Sequence, residues 1–299
     1  MTRDHAVRVV AVLALALALA GATVGWSDTQ SRVPAGAAPP VRLYVLDGGV
    51  LESDPARYQL TAQDVGTTPL SIAAYLVVHP RGVLLWDTGA VSDADWTPSG
   101  RPSEQRLVLG DGQERRVTIE RSLTSQLSAA GFAPGAVTHL ALSHYHWDHT
   151  GNANVFAHAT WLARQADREA MFAPTPGTSR PATYAALRNS RTTVVRDDEY
   201  DVFGDGTVIL KSAPGHTEGH QVLLVKLPRT GPVLLSGDLY HYRAERALGR
   251  LPTFEISPDQ TRAARQRVDE FLTTTGAQLW IQHELPAHRQ LRKAPEYYD

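Results

Sequence analysis

The sequence predicts a mixed α/β (α+β) fold in which strands dominate and helices interrupt them. Three observations carry this. Short apolar runs are cut by turn residues, two segments show helical spacing, and no repeat, charged block or low-complexity block divides the chain after Val41. At 299 residues with 42% apolar content the chain can bury a sizeable core. A single domain over 41–299 follows.

Residues 1–22 read as a secretory signal. Arg3 and Arg8 precede an apolar run from Val9 to Val24, and Ala20, Gly21 and Ala22 offer an A-x-A-like cleavage site. The run is shorter than the roughly 20 apolar residues that a bilayer crossing needs, although left uncleaved it would act as an anchor. Either way the globular part is expected outside the cytosol, periplasmic or extracellular, with no stable membrane association once the signal is removed. Residues 23–40, ending in TQSRVPAGAAPP, read as a linker.

Strands are predicted at 41–46 (VRLYVL), 71–79 (SIAAYLVVH) and 83–89 (VLLWDTG), with Gly82 and Gly89 as punctuation. Ser122 to Ala130 reads as a helix, with Leu123, Leu127 and Ala130 at helical spacing and Gly131 beyond. The run VTHLALSH at 137–144 follows as a buried strand. Further strands are expected at 192–195, 207–212, 221–227, 232–236 and 278–282. A helix from about Pro258 to Thr273 has Ser257 as N-cap, Pro258 in its first turn and Gly276 past its end.

Composition narrows the chemistry. The chain has no cysteine, so any metal must be held by histidines and carboxylates. A formal charge of −2 without a Lys/Arg run disfavours a nucleic-acid partner. The segment SHYHWDHTGN (143–152) crowds His144, His146, Asp148 and His149 into one loop. If the strand runs to its end, alternation sends His144 and His146 to the same side, toward one ion. A turn can then aim Asp148 and His149 at a second ion. A lone histidine is more often a core or surface residue, and His79, His139, His158, His220 and His288 are read that way.

HxHxDH, followed by APGHTEGH (213–220), LLSGDLYH (234–241) and WIQHE (280–284), resembles the metallo-β-lactamase superfamily over nearly all of the domain. The resemblance implies a four-layer αβ/βα sandwich, two mainly antiparallel sheets face to face with helices outside and metals at one edge. It implies that His144, His146 and His216 hold one ion, that Asp148, His149 and His283 hold the other, and that Asp238 bridges them. WDTGA (86–90) resembles the element in which Asp87 supports the site and Gly89 permits a tight turn.

Two divalent ions sharing a solvent molecule lower its pKa toward neutrality. The implied reaction is therefore hydrolysis by a metal-bridging hydroxide, with Asp148 orienting it and carrying a proton to the leaving group. Zinc is the default, and iron, cobalt and manganese suit the same donors. The intervals between ligands are most similar to the N-acyl homoserine lactonases. The β-lactamase branch lacks a bridging aspartate, the glyoxalase II branch carries a helical region after the last metal histidine, and the nucleases need a basic surface.

The chain departs from the lactonase pattern where a tyrosine normally follows the bridging aspartate by three residues. His241 stands there, with Tyr240 one position earlier, so both are candidate donors to a substrate carbonyl or leaving group. Trp161, Met171, Phe172 and Tyr184 are candidates to line an acyl groove, or are ordinary core residues. The expected partner is a small lactone or ester, acted on by a monomer or a homodimer. Hydrolysis of other esters or of β-lactams, and metal binding without catalysis, are the alternatives.

Overall fold

The computed structural model describes residues 40–174 and 177–299, which fall in one compact unit, Ala38–Asp299. The predicted signal and nearly all of the linker lie outside the described residues. Among the described residues, no helix is long and apolar enough to cross a membrane.

The strands are β1 (Arg42–Leu51), β2 (Leu70–His79), β3 (Gly82–Trp86), β4 (Ser103–Val108), β5 (Glu114–Ile119), β6 (His139–Ala141), β7 (Thr160–Arg164), β8 (Thr192–Val195), β9 (Glu199–Asp201), β10 (Val208–Ser212), β11 (Gln221–Leu227), β12 (Gly231–Leu235) and β13 (Gln278–Trp280). They form two sheets, ordered β4-β5-β1-β2-β3-β6-β7-β8 and β13-β12-β11-β10-β9. The larger sheet is more mixed than the resemblance implied, because β3, β6, β7 and β8 pair in parallel. The smaller is antiparallel except for β12 with β13. The α-helices are α1 (Ala62–Val65), α2 (Leu123–Ala129), α3 (Gln165–Met171), α4 (Arg243–Leu248), α5 (Pro258–Thr275) and α6 (Leu285–Gln290).

Alternation along β1 shows why the layers form. Leu43 and Val45 face inward, where they meet Val208, Leu210, Leu223, Val225, Val233 and Leu235 of the other sheet in an inter-sheet core. Tyr44 and Leu46 face outward and pack with Leu123 and Leu127 of α2 and with Trp161 and Tyr184. On the far side, Val222, Leu224 and Leu234 pack against Ala264, Val268 and Leu272 of α5. Central strands buried on both faces are apolar almost throughout, and the result is the four-layer αβ/βα sandwich.

α5 keeps the expected caps. Ser257 accepts from the Gln260 N–H, and Gly276 ends the helix at φ 68°. The strand feeding the histidine loop is shorter than expected. β6 stops at Ala141, so His144 and His146 lie on a loop and strand alternation does not place them.

Candidate metal centre

The loop after β6 is laced to the turn after β3. Asp87 N–H donates to Ala141 O at 2.9 Å, Thr88 N–H to His149 O at 2.8 Å, and Gly151 N–H to Gly89 O at 2.6 Å. Asn152 Nδ2 closes the contact by donating to Thr88 O and Val91 O. At Gly151 the two backbones pass so closely that a Cβ would lie 2.5 Å from Ala90 C. This lacing positions the histidines in place of a strand.

The smaller sheet supplies the other ligands. His216 rides on the turn between β10 and β11, Asp238 follows β12, and His283 follows β13. Asp167, at the start of α3, pins the His216 turn by accepting from Thr217 Oγ1 at 3.0 Å and Gly219 N–H at 2.8 Å. His220 Nε2 accepts the Asp238 N–H at 3.0 Å, and burial lowers this imidazole to about 4, which keeps it a neutral acceptor.

Two sets of ligand atoms converge, each within 4.8 Å: His144, His146, His216 and Asp238, then Asp148, His149, Asp238 and His283. Asp238 belongs to both because its oxygens face different ways. Oδ1 lies 2.8 Å from His283 Nε2 and 3.0 Å from His149 Nε2. Oδ2 lies 3.3 Å from His216 Nε2 and 3.6 Å from His144 Nε2. Asp148 stands 3.7 Å from His283 Nε2 and 3.8 Å from His149 Nε2.

The surrounding groups fix which imidazole nitrogen carries the proton. His283 Nδ1 lies 2.6 Å from Ser71 O, a carbonyl that can only accept, so the Nε2 lone pair faces the cluster. His149 Nδ1 meets Asp87 Oδ2 at 2.8 Å and His216 Nδ1 meets Glu255 Oε1 at 2.9 Å, the carboxylate–histidine pairs typical of metal ligands. Asp87 also accepts from Ser143 N–H at 2.6 Å and Gln282 Nε2 at 2.7 Å, and its backbone stands at φ 57°. A non-glycine residue in that left-handed region marks strain kept at a site of use.

These residues fit a pair of cations. His144 Nε2 is buried without a hydrogen-bond partner, and His216 Nε2 faces His146 Nδ1 at 3.0 Å. Burial, and then the neighbouring histidines, hold His144 and His146 well below the ordinary imidazole range, as neutral ligands. Burial opposes charge at His149 too, yet Asp238, Asp87 and Asp148 outweigh it and hold this group well above that range. The carboxylates thus favour positive charge at the centre.

His241 is brought to the site and Tyr240 is not. His241 Nε2 lies 3.0 Å from Asp238 Oδ2, and its Nδ1 lies 3.3 Å from Glu245 Oε1. Tyr240, in extended backbone, faces the opposite way into the core beneath α5, with the Arg265 guanidinium 4.3 Å from its ring centroid. It is not placed to donate to a substrate. Trp161, Met171 and Tyr184 are likewise buried in the outer core of the larger sheet with Phe172 against them, so the expected acyl groove is core packing.

A cavity of about 340 Å³ opens over the centre, and His146, Asp148, Asp238 and His241 form its floor. Leu51, Tyr58, Leu70, Trp147 and Phe254 line its walls. Sequence reasoning missed Glu255 and Asp167, which carry no motif and reach the centre only through tertiary packing, and Glu245, which stands four residues after His241. Of the remaining histidines, His79 pairs with Asp205 at 2.8 Å, His139 contacts Thr138, His288 lies buried near Asp47 and His158 is exposed.

The chain belongs to the metallo-beta-lactamase superfamily, whose family model matches residues 67–275. It is a metal-dependent hydrolase of that superfamily. Among its relatives it is 30% identical to the N-acyl homoserine lactonase AttM of Rhizobium johnstonii, covering 86% of this chain and 98% of the relative. It is 29% identical to the AttM lactonase of Azorhizobium caulinodans, with 87% and 99% covered. Among solved structures, an N-acyl homoserine lactone hydrolase with N-hexanoyl-L-homoserine at its catalytic metal centre has the same fold, at TM-score 0.70 and 20% identity, covering 86% of this chain and 98% of that one. The dizinc quorum-quenching lactonase AidC matches at TM-score 0.60 and 18% identity, with 81% and 87% covered.

Proposed function

We propose that the protein hydrolyses the lactone ring of N-acyl homoserine lactones or closely related lactones with two divalent ions, zinc by default. The observation that carries this is the division of Asp238 between the two ligand sets, with Oδ1 toward His149 and His283 and Oδ2 toward His144 and His216. The lactonase names of the relatives at 29–30% identity support the substrate class. The predicted signal supports an exported role.

When bound, the metals supply a water that is nucleophilic near neutral pH and a Lewis acid for the carbonyl. The chain does the rest. The acyl carbon takes a hydroxyl from water, the acyl–oxygen bond breaks, and the ring oxygen takes the proton. Asp148, on the cavity floor, accepts the proton of the attacking water and delivers it to the ring oxygen. His241, on the same floor, would donate Nε2–H to the oxygen on which charge develops once that group is released from Asp238 Oδ2, 3.0 Å away in this structure, with Glu245 beside its Nδ1. The apolar walls exclude competing water.

The test is hydrolysis of N-hexanoyl- and N-decanoyl-homoserine lactone beside nitrocefin and an aryl ester, before and after chelation. Opening of the lactones that is lost on chelation and in Asp238→Ala is the expected result. Activity confined to nitrocefin or the ester would overturn the substrate.

A further inference from the structure

The cavity mouth differs in character from its floor and walls. The β4–β5 hairpin contributes Glu114, Arg115 and Arg116, and the segment after β1, joined to it by the Glu52 N–H donating to Arg116 O at 3.1 Å, contributes Glu52, Asp54 and Arg57. Two of these charges are already engaged with each other, since Arg116 Nη1 lies 4.0 Å from Glu52 Oε2. Asp54 caps the turn that follows, its Oδ1 accepting the Ala56 N–H at 3.0 Å, and keeps its charge at the exposed rim. Arg57 and Arg115 are the cations left without a carboxylate partner, beside Asp54 and Glu114.

The two arginines are held rather than neutralised. The Arg57 guanidinium lies 4.9 Å from the centroid of Phe254, itself a wall of the cavity, and among the described residues no acceptor takes its N–H groups. Arg115 spends Nη1 on the Glu114 carbonyl at 2.9 Å and Nη2 on Gln113 Oε1 at 2.7 Å, both neutral oxygens, so its charge is unpaired. Partial burial, and then repulsion from Arg57, pull Arg115 below the ordinary guanidinium range, while Asp111, Asp148 and Tyr58 draw it back. Arg115 therefore feels both Arg57 and the metal-side carboxylate Asp148.

Resting on the lactonase reading above, we propose that Arg57 and Arg115 form an anion clamp at the cavity mouth. It selects lactones whose acyl substituent carries a carboxylate at the end remote from the ring. Trp161, Met171, Phe172 and Tyr184 are spent in the core, so a chain that passes the apolar walls meets guanidinium at the mouth. Arginine is suited to this because its planar fork matches a carboxylate and is less strongly hydrated than an ammonium.

Two substrates of equal length separate the clamp from the chemistry: N-hexanoyl-homoserine lactone, ending in a methyl, and N-adipoyl-homoserine lactone, ending in a carboxylate. With the metal-loaded protein the adipoyl lactone is expected to be favoured roughly tenfold in kcat/KM, mainly through KM. The preference should shrink with added salt, and the ratio should collapse toward one in the Arg57→Gln/Arg115→Gln double variant. A wild-type preference for the hexanoyl lactone, or a preference that survives the double variant, overturns the proposal. Calorimetric binding of adipate against hexanoate supplies a second readout that needs no turnover, since each acid has one carboxylate for the floor. If neither lactone opens, the lactonase reading fails. The clamp then stands if adipate binds roughly tenfold tighter than hexanoate in wild type alone, and falls if the two acids bind equally.

Discussion

At position 241 an imidazole stands 3.0 Å from Asp238 Oδ2 on the cavity floor, whereas Tyr240 points into the core under α5. His241→Ala should therefore lower kcat by about 100-fold with bound metal unchanged by elemental analysis, and Tyr240→Phe should leave kcat as it was. Asp167 gives a pH signature. Burial raises its carboxyl from 3.8 to about 7, against the Thr217 and Gly219 hydrogen bonds that favour its charged form. Between those values the folded chain holds a proton that the unfolded chain has released, so this group's contribution to stability falls as pH rises from 4 to 7. In metal-free protein, denaturant titrations of wild type and Asp167→Asn should diverge over that window by roughly 2–4 kcal/mol, wild type losing ground toward pH 7. A constant difference would show that Asp167 is already ionised at pH 4. The candidate ligands were legible in the sequence because four metal-binding side chains crowd one loop. Glu255 and Asp167 were not, because a carboxylate that braces a histidine or its turn from a distant part of the chain leaves no local trace, and Glu245, four residues after His241, sits in no recognised motif.

Among the elements, the strands of the inter-sheet core were readable because burial on both faces demands unbroken apolar runs, as in SIAAYLVVH. The β4–β5 hairpin was not. Its strands SEQRLV and ERRVTI open with polar and charged residues and carry apolar ones only toward their ends, at a sheet edge, so they look like solvated loop. Missing the hairpin meant missing part of the cavity mouth. The expected end of β6 was also too late, because apolar content continues through Leu142 after the pairing has stopped at Ala141. The turn between β10 and β11 is the element most sensitive to a single methyl group. Gly215 stands at φ 138°, and a Cβ there would lie 2.2 Å from Thr261 Oγ1 and 2.3 Å from Thr261 N. Gly215→Ala should push the His216 turn off α5, and bound metal per chain should fall by about half while the circular dichroism spectrum stays native. Full metal content in that variant would show that the turn can shift without its histidine.

Over the whole molecule, the ligands come from loops of both sheets, with His144, His146, Asp148 and His149 on one side and His216, Asp238 and His283 on the other. Bound ions therefore tie the layers together across the edge of the inter-sheet core. At a free metal concentration about 100-fold above Kd, one site adds about 2.7 kcal/mol of stability by mass action. In a chain of this size that corresponds to roughly 5–10 °C in Tm. Calorimetry before and after chelation should show at least that drop, and an unchanged Tm would mean that the edge is already rigid without metal. The motifs were enough to name the sandwich, but they do not encode its topology. Strand order is set by contacts far apart in the chain, such as β1 pairing with both β2 and β5, and those distances leave no periodic mark.

Asp87 carries one further consequence, which concerns the freedom of this sequence to drift. Its backbone at φ 57° tolerates asparagine or glycine, and its oxygens receive Ser143 N–H, Gln282 Nε2 and the His149 ring. Asparagine keeps the conformation and gives up the charge; glutamate keeps the charge, strains the turn and reaches one methylene too far. No single replacement meets both demands. In a saturation library selected for metal-dependent turnover, codon 87 should return aspartate alone, because its backbone and its chemistry impose separate filters that only one side chain passes.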